Sequence, residues 1–262
     1  QSRYLAHHGF NVLAIDLPGH CKSGGDAPES VEQAADFIGA LLTAAGVQKA
    51  ALVGHSWGAL IALEAAARLG ERVSHLCLVG VAAPMRVSPV LLENSVSNPE
   101  QALKLVNVFS RSTLAPPPSA LGPGTWIYGA GMALGRRVLR SNPKVNVFHR
   151  GFVACDRYAG GEAAIAQISC PVLFVHGEND LTEPSSDALR LMAAVTHTWA
   201  STMVIPGGHD LNGRLDARHA PHIQGFFRRA FVGETPPHCP VTCARAPHTT
   251  GDHDVHQTTS PR

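Results

Sequence analysis

The sequence contains no apolar run of about 18 residues, the length that a membrane-spanning helix requires. It also carries little net charge, with 21 Lys and Arg residues against 20 Asp and Glu residues. A chain so close to neutral has no general attraction for nucleic acid or anionic membrane surfaces. Internal repeats and a signal-peptide pattern are missing as well. We therefore expect no integral membrane segment and no nucleic-acid partner.

The six cysteines are scattered and form neither a disulfide framework nor an established zinc pattern. Cys77 and Cys170 lie in apolar runs and are expected to be small buried side chains. Cys239 and Cys243 have histidines near them, but their spacing fits no zinc site. The cysteine pattern therefore predicts no metal site. A cytoplasmic location is the default, because nothing in the sequence demands disulfides.

Strand-like and helix-like segments alternate through the first third of the chain. In order, the pattern predicts a helix end over Gln1–His8, a strand over Phe10–Ile15, a Gly/Pro-rich loop from Asp16, a helix capped by Ser30 that runs to about Ala45, and a strand over Val73–Val79. Strands that alternate with helices indicate a parallel sheet covered on both faces. With 262 residues, of which 45% are hydrophobic, the chain suffices for one large α/β domain with an insertion or for two small domains.

Strand signals disappear from about Pro84 until Cys170, and helical patches with aromatic side chains take their place. The aromatic residues are Phe109, Trp126, Tyr128, Phe148, Phe152 and Tyr158. We interpret residues 84–160 as a helical cap over the active edge of the sheet, with additional core helices as the alternative. The aromatic content of the cap predicts an apolar substrate of modest size.

The alternation then resumes. It predicts a strand over Cys170–His176, a helix over Asp187–Ala194, a strand over Thr202–Ile205 and a helix over Leu215–Phe231 that is interrupted near Pro221. After Gly233 the chain has almost no apolar residues, so 233–262 are expected to be disordered. The predicted core is therefore 1–83 and 161–232, with the cap at 84–160.

The pattern Gly54-His55-Ser56-Trp57-Gly58 follows an apolar strand over Ala50–Val53 and precedes an Ala/Leu-rich helix over Ala59–Leu69. Strand, G-x-S-x-G and helix in this order predict a nucleophile elbow, whereas the bare pattern also occurs by chance. A nucleophile at the apex of so sharp a turn needs small residues two positions before and after it, and Gly54 and Gly58 meet that need.

A serine nucleophile needs a base to take its proton and a carboxylate to orient that base. Asp180 follows the strand that ends at His176, and His209 follows the strand that ends at Ile205, so both are placed at carboxyl ends of strands. Glu178 and Glu183 share the loop of Asp180 and are alternative acids. We expect the neighbouring His55 to point away from the nucleophile, and His176 is interpreted as a core histidine.

These motifs together resemble the α/β-hydrolase superfamily, in its group of serine esterases, lipases and C–C hydrolases. The matching stretches are Asp16–His20 with Ser23, Gly54–Gly58, Cys170–Asp180 and Gly207–His209. They are specific for the superfamily and hardly specific for a substrate. The resemblance implies a mostly parallel sheet with a helical cap, Ser56 as nucleophile, Asp180 as acid and His209 as base.

The sequence departs from the family pattern in two places. Cys21 stands where the family usually has glycine, and a positive φ there would strain a cysteine. The chain also starts after the strands and the His-Gly loop that supply one oxyanion amide in the family, so we expect an N-terminally truncated hydrolase. The remaining oxyanion amide is that of Trp57.

The leading hypothesis is hydrolysis of a small-molecule carboxylic ester through an acyl-enzyme, with no cofactor. The same triad also serves amide and C–C bond hydrolysis, and site logic alone does not choose among them. An inactive truncated scaffold and a partner-binding module are the alternatives that are not enzymes. A serine at the elbow argues against epoxide hydrolases and dehalogenases of this fold, which use Asp there. The sequence does not indicate an oligomeric state.

Overall fold

A computed structural model describes residues 2–110, 127–178, 180, 185–196, 198, 200–205 and 220–232 of the chain. Across these residues no helix is both long and apolar enough to cross a membrane. The C-terminal segment 233–262, for which the sequence predicts disorder, lies outside the described residues.

The centre of the molecule is a parallel sheet with four described strands in the order β1-β2-β3-β4. The strands are β1 Ala50–His55, β2 Val73–Val79, β3 Val172–Gly177 and β4 Ala200–Ile205. His55 at the end of β1 aligns with Val79, and Val79 aligns with Val175 on β3. Because all pairs are parallel, the carboxyl ends of the strands lie at one edge of the sheet. The mostly parallel α/β architecture predicted from the sequence is confirmed.

Ten α-helices are described around the sheet. They are α1 Ser2–His7, α2 Val31–Ala44, α3 Trp57–Leu69, α4 Pro89–Ser97, α5 Pro99–Phe109, α6 Ile127–Ser141, α7 Val147–Arg157, α8 Gly161–Ala166, α9 Ser185–Ala193 and α10 Ala220–Val232. Ser30 caps α2 as predicted, with its side chain accepting the backbone N–H of Gln33. Helix α10 runs without a break from Ala220 through Pro221, and residues 215–219 of the predicted helix lie outside the described part of the chain.

Apolar side chains of the inner strands alternate between the two faces of the sheet. Leu76, Leu78 and Phe174 are fully buried and belong to the core formed with helices α2, α3 and α8. Cys77 and Val175 point to the other face, where α10 contributes the described aromatic side chains Phe226 and Phe227. The prediction that Cys77 and Cys170 are buried is confirmed. Both faces of the sheet are therefore covered, as a parallel sheet requires.

The strand predicted over Phe10–Ile15 is wrong. These residues follow helix α1 as irregular chain, and the side chains of Leu13 and Ile15 are 62% and 42% exposed. Phe10 packs edge-on against Phe227, with ring centroids 6.2 Å apart, but none of the four described strands pairs with this segment. An apolar, β-branched sequence becomes a strand only where a neighbour supplies hydrogen bonds, so propensity alone misled the prediction.

The segment between 84 and 160 is helical in its described part, as predicted. Helices α4, α5, α6 and α7 pack against one another there. Ser95 on α4 is fully buried, and its Oγ lies 2.7 Å from His149 Nδ1 on α7. Tyr158, one of the six aromatic residues assigned to the cap, is buried and donates a 2.6 Å hydrogen bond to the Glu64 carboxylate on α3. This contact joins the end of α7 to the core.

Buried His75 on β2 is expected to make the stability of the fold depend on pH. It is 2% exposed and packs edge-on against Phe226 and Phe227. Burial, aided by the charge of Lys49, lowers its pKa from 6.5 to about 4. Between these values the unfolded chain binds the proton and the folded chain does not, so stability rises with pH. Acidification from pH 6.5 to 4 should remove up to about 3 kcal/mol of unfolding free energy through this group.

Urea unfolding of the wild type and of His75→Leu across this pH range checks the prediction. The wild type should lose more unfolding free energy than the variant as the pH falls. His176, whose pKa burial also lowers, is present in both proteins, so its contribution cancels in the comparison. Equal pH slopes for the two proteins would contradict the assignment to His75.

Candidate active site

Ser56 lies in the sharp turn between the end of β1 and the start of α3, as the sequence predicts. Its backbone has φ 55° and ψ −122°, a left-handed conformation that non-glycine residues rarely adopt. The Ser56 N–H donates to the carbonyl of Val79 on β2, at 2.9 Å, and this bond fixes the turn to the sheet. Such strain is typical of functional positions and persists only where the surrounding structure enforces it.

Gly54 is required by close backbone packing within this turn. A Cβ atom at Gly54 would lie 2.0 Å from the carbonyl oxygen of Gly58 and 2.6 Å from the amide nitrogen of Ala59. At Gly58 itself a Cβ would meet no atom of the described residues within 4 Å. The requirement for a small residue therefore holds at Gly54, and none of the described residues imposes it at Gly58. The asymmetry arises because the helix backbone passes over Gly54, while no described atom lies near a Cβ at position 58.

The Ser56 hydroxyl does not cap helix α3, although serine is a favoured capping residue. Capping needs an extended backbone at the residue before the helix, and the left-handed conformation of Ser56 does not supply it. Ala59 and Leu60 donate their backbone N–H groups to the carbonyl of Ser56, at 2.8 and 3.3 Å, whereas the N–H groups of Trp57 and Gly58 precede the first hydrogen-bonded turn. The hydroxyl thus lies beside a helix N-terminus, where negative charge is stabilised.

Asp180 lies just beyond the carboxyl end of β3 and is 7% exposed. Its backbone N–H donates to the carbonyl of Gly177 at 3.4 Å. Nearby His176 is also buried, with Nε2 3.3 Å from the Thr202 hydroxyl on β4. Burial lowers the pKa of His176, and the charge of Asp180 opposes this change. The interpretation of His176 as a core histidine is consistent with this position.

The sheet therefore carries Ser56 and Asp180 at the same edge, after β1 and β3. The predicted base His209 and the alternative acid Glu183 lie outside the described residues. Glu178 is described and exposed, and its backbone N–H donates to the carbonyl of Ile205 at the end of β4. Because β4 is parallel to β3, the chain leaves Ile205 at this edge, which is the edge where the sequence places His209.

Trp57, the first residue of α3, has its ring between Gly151 and His20, two residues that sequence reasoning did not assign to the site. A Cβ at Gly151 on α7 would lie 3.1 Å from Cε3 of the indole, so α7 packs directly on the ring. On another side the His20 ring lies 5.8 Å away between centroids. The buried indole Nε1 has no hydrogen-bond partner among the described residues. No sequence signal identified Gly151, because a single glycine within a helix does not reveal its neighbour.

The loop from Asp16 to Glu29 connects this region to the helical segment. Cys21 has φ 47°, so the expectation that a positive φ would strain a cysteine here is confirmed. The Asn142 side chain donates to the carbonyl of Gly19 at 3.1 Å, and Arg150 donates to the carbonyl of Ala27 at 2.8 Å. The helices of 84–160 are thereby attached to the loop that precedes the elbow segment.

Metal-binding groups of three or more His, Cys, Asp or Glu side chains do not occur among the residues that the structure describes. Cys239 and Cys243, considered above for a metal, lie outside that part of the chain. At this sheet edge the described residues offer the hydroxyl of Ser56, the buried carboxylate of Asp180 and the backbone N–H groups at the start of α3.

Comparison with known proteins assigns the family. A sequence model described as alpha/beta hydrolase fold matches residues 1–225. The chain belongs to the alpha/beta hydrolase fold family. This hydrolase-fold chain is 27% identical over 207 residues to RutD of Agrobacterium fabrum, to which a carbamate hydrolase activity is ascribed, and the match covers 73% of this chain and 72% of RutD.

Two further similarities fit the same family. Over 85 residues the chain is 35% identical to epoxide hydrolase A of Mycobacterium tuberculosis, which covers 30% of this chain and 26% of that protein. The solved structure of a thermophilic esterase matches with a TM-score of 0.66 and 25% identity, over 82% of this chain and 79% of the esterase. Family membership and these relatives support hydrolase activity.

Proposed function

We propose that this alpha/beta hydrolase is a serine hydrolase that cleaves a small to medium apolar carboxylic ester through an acyl-enzyme. The observation that carries the proposal is the conformation of Ser56. Its strained backbone presents a hydroxyl that caps nothing, at the N-terminus of α3 and at the same sheet edge as buried Asp180. A hydroxyl in this position has the geometry that a nucleophile requires.

In the proposed reaction, Ser56 Oγ attacks the carbonyl carbon of the ester while His209 takes its proton. The Trp57 N–H, at the N-terminus of α3, donates to the oxyanion that forms. His209 then passes the proton to the leaving alkoxide, and Asp180 keeps the imidazole in the required tautomer. Water, activated by His209, attacks the acyl-enzyme and releases the carboxylic acid, which restores Ser56.

The type of bond that is cleaved is inferred from the relatives and not from the geometry of the site. The esterase similarity favours an oxygen ester, whereas the similarity to RutD favours a carbamate. Both bonds are cleaved by attack on a carbonyl carbon, so the same four residues serve either one. Epoxide opening is disfavoured because the elbow carries Ser56 and not the aspartate that epoxide hydrolases of this fold use.

Labelling by a fluorophosphonate tests the nucleophile, because the reagent modifies a serine only where its hydroxyl is activated. We expect one adduct per chain, located on the peptide that contains Ser56, and no adduct in Ser56→Ala. Labelling at another serine, or equal labelling of the variant, would overturn the assignment. Turnover of p-nitrophenyl acetate and butyrate beside a p-nitrophenyl carbamate and an anilide then ranks the bond types.

A further inference from the structure

A cleft of about 650 Å³ lies between the loop around Cys21 and the last turns of α6. Four cationic side chains line it, namely Lys22 from the loop and Arg136, Arg137 and Arg140 from the helix. In a chain whose formal net charge is +1, such a concentration of one sign does not follow from composition. The cleft is separate from Ser56 and Asp180, neither of which lines it.

The four cationic side chains outnumber the carboxylates that the structure describes next to them, which are those of Glu100 and Asp16. Glu100 receives hydrogen bonds from Arg136, with Nε 3.1 Å from each carboxylate oxygen, and this guanidinium lowers the pKa of Glu100. The Asp16 carboxylate accepts the backbone N–H of Lys22 at 3.2 Å. Within the part of the chain that the structure describes, the side chains of Lys22, Arg137 and Arg140 form no ion pair.

The spacing of the three arginines along α6 places them on the side of the helix that lines the cleft. Arg136 and Arg137 are each three or four residues from both Ala133 and Arg140, so the four positions share one side of α6, and the small side chain of Ala133 leaves the space between them open. Like charges at this spacing repel and destabilise a helix. Favourable interaction with the helix C-terminus accounts for a cation such as Arg140 in the last turn. It does not account for Lys22, which reaches the same cleft from a different element.

The two walls of the cleft are held together. Asn142, just after α6, donates to the carbonyl of Gly19 at 3.1 Å and accepts the backbone N–H groups of Lys144 and Val145. On the loop side, the Ser23 hydroxyl donates to the carbonyl of Asp16 at 2.8 Å. The strained φ of 47° at Cys21 is maintained within this bonded loop. The cations therefore lie on a loop and a helix that are hydrogen-bonded to each other, and not on the surface of an isolated helix.

We propose that this cleft binds the phosphate groups of a small soluble ligand, such as a pyrophosphate or an organic phosphomonoester. Guanidinium groups match phosphate oxygens through paired hydrogen bonds, and several converging cations favour a group with more than one negative charge over a single carboxylate. The cleft volume lies within the range of small-molecule sites. The proposal does not depend on the hydrolase chemistry, since it involves none of its residues.

Calorimetric titration with pyrophosphate tests the proposal. We expect saturable binding at one site that weakens as NaCl is raised, because salt screens exposed charges. The double variant Arg137→Gln/Arg140→Gln should bind at least about tenfold more weakly, since each loses a charge-assisted hydrogen bond. Lys22→Gln should also weaken binding, by about threefold or more. Ser56→Ala should bind as the wild type does.

The matched control is Arg3→Gln/Arg157→Gln, which removes two exposed arginines from α1 and α7 and changes the net charge equally. This variant should bind pyrophosphate like the wild type. Absence of binding by the wild type, or equal weakening in both double variants, would overturn the site. An unaffected Lys22→Gln would also overturn it, because the loop would then take no part.

Discussion

Ser56→Ala is expected to lower kcat for the best ester substrate by at least about 10⁴-fold while leaving the fold intact. The hydroxyl is the proposed nucleophile, and no neighbouring side chain replaces it in the turn between β1 and α3. The variant keeps the backbone bond from residue 56 to Val79, because that bond uses the main chain. Its thermal midpoint should therefore match that of the wild type. Initial rates with p-nitrophenyl butyrate, measured together with thermal unfolding, provide the check.

The control for this substitution is Ser97→Ala, on the exposed end of α4, where the hydroxyl donates to the carbonyl of Glu93 at 3.0 Å. Its rates should equal those of the wild type. If Ser56→Ala retained a tenth or more of the wild-type kcat, Ser56 would not be the nucleophile. A loss of activity accompanied by unfolding would instead assign Ser56 a structural role.

Gly54→Ala is expected to destabilise the fold by about 3 kcal/mol or more, which is the upper range for overpacking a well-packed site. The added Cβ would lie 2.0 Å from one backbone oxygen and 2.4 Å from the carbonyl carbon of the same residue, Gly58. Backbone atoms of a helix cannot rotate away as a side chain does. The start of α3 must therefore shift, and the strained turn at Ser56 shifts with it. Urea unfolding measures the change in free energy.

Gly58→Ala supplies the matched control, because it adds the same methyl group four residues away. Position 58 has open space among the described residues and lies in the first turn of α3, where alanine replaces glycine with a gain of up to about 1 kcal/mol. We expect its unfolding free energy to equal or exceed that of the wild type. Similar losses in both variants would show that the close approach at Gly54 does not constrain the turn.

The order of strands and helices was largely predictable because each signal was local. The Ser30 cap, the apolar stretch Val73–Val79 and the G-x-S-x-G pattern each describe a structure formed by residues close in sequence. The prediction over Phe10–Ile15 was wrong for the opposite reason. Whether an apolar segment becomes a strand depends on a partner strand, and the segment itself carries no information about that partner.

The candidate site was predictable only in part. The positions of Ser56 and Asp180 after their strands follow from chain order in a parallel sheet, so the sequence sufficed for them. The contact of Gly151 with Trp57 joins residues 94 positions apart, and the cationic cleft joins Lys22 to Arg140. Such contacts depend on how helices pack across the sheet edge, and the sequence pattern around one partner does not indicate the other.

The packing of α7 on the Trp57 ring has a consequence for protein engineering. Exchanging the helical segment 84–160 with that of a relative is an obvious route to a new substrate range. In this protein the incoming helix would have to leave room for the indole at the position of Gly151, where a Cβ would already lie 3.1 Å from Cε3 of the ring and would push it by a few tenths of an ångström. The backbone N–H proposed to hold the oxyanion belongs to the same residue as that indole. A graft chosen for its pocket alone would therefore press on the indole and on the start of α3, where the proposed oxyanion donor lies.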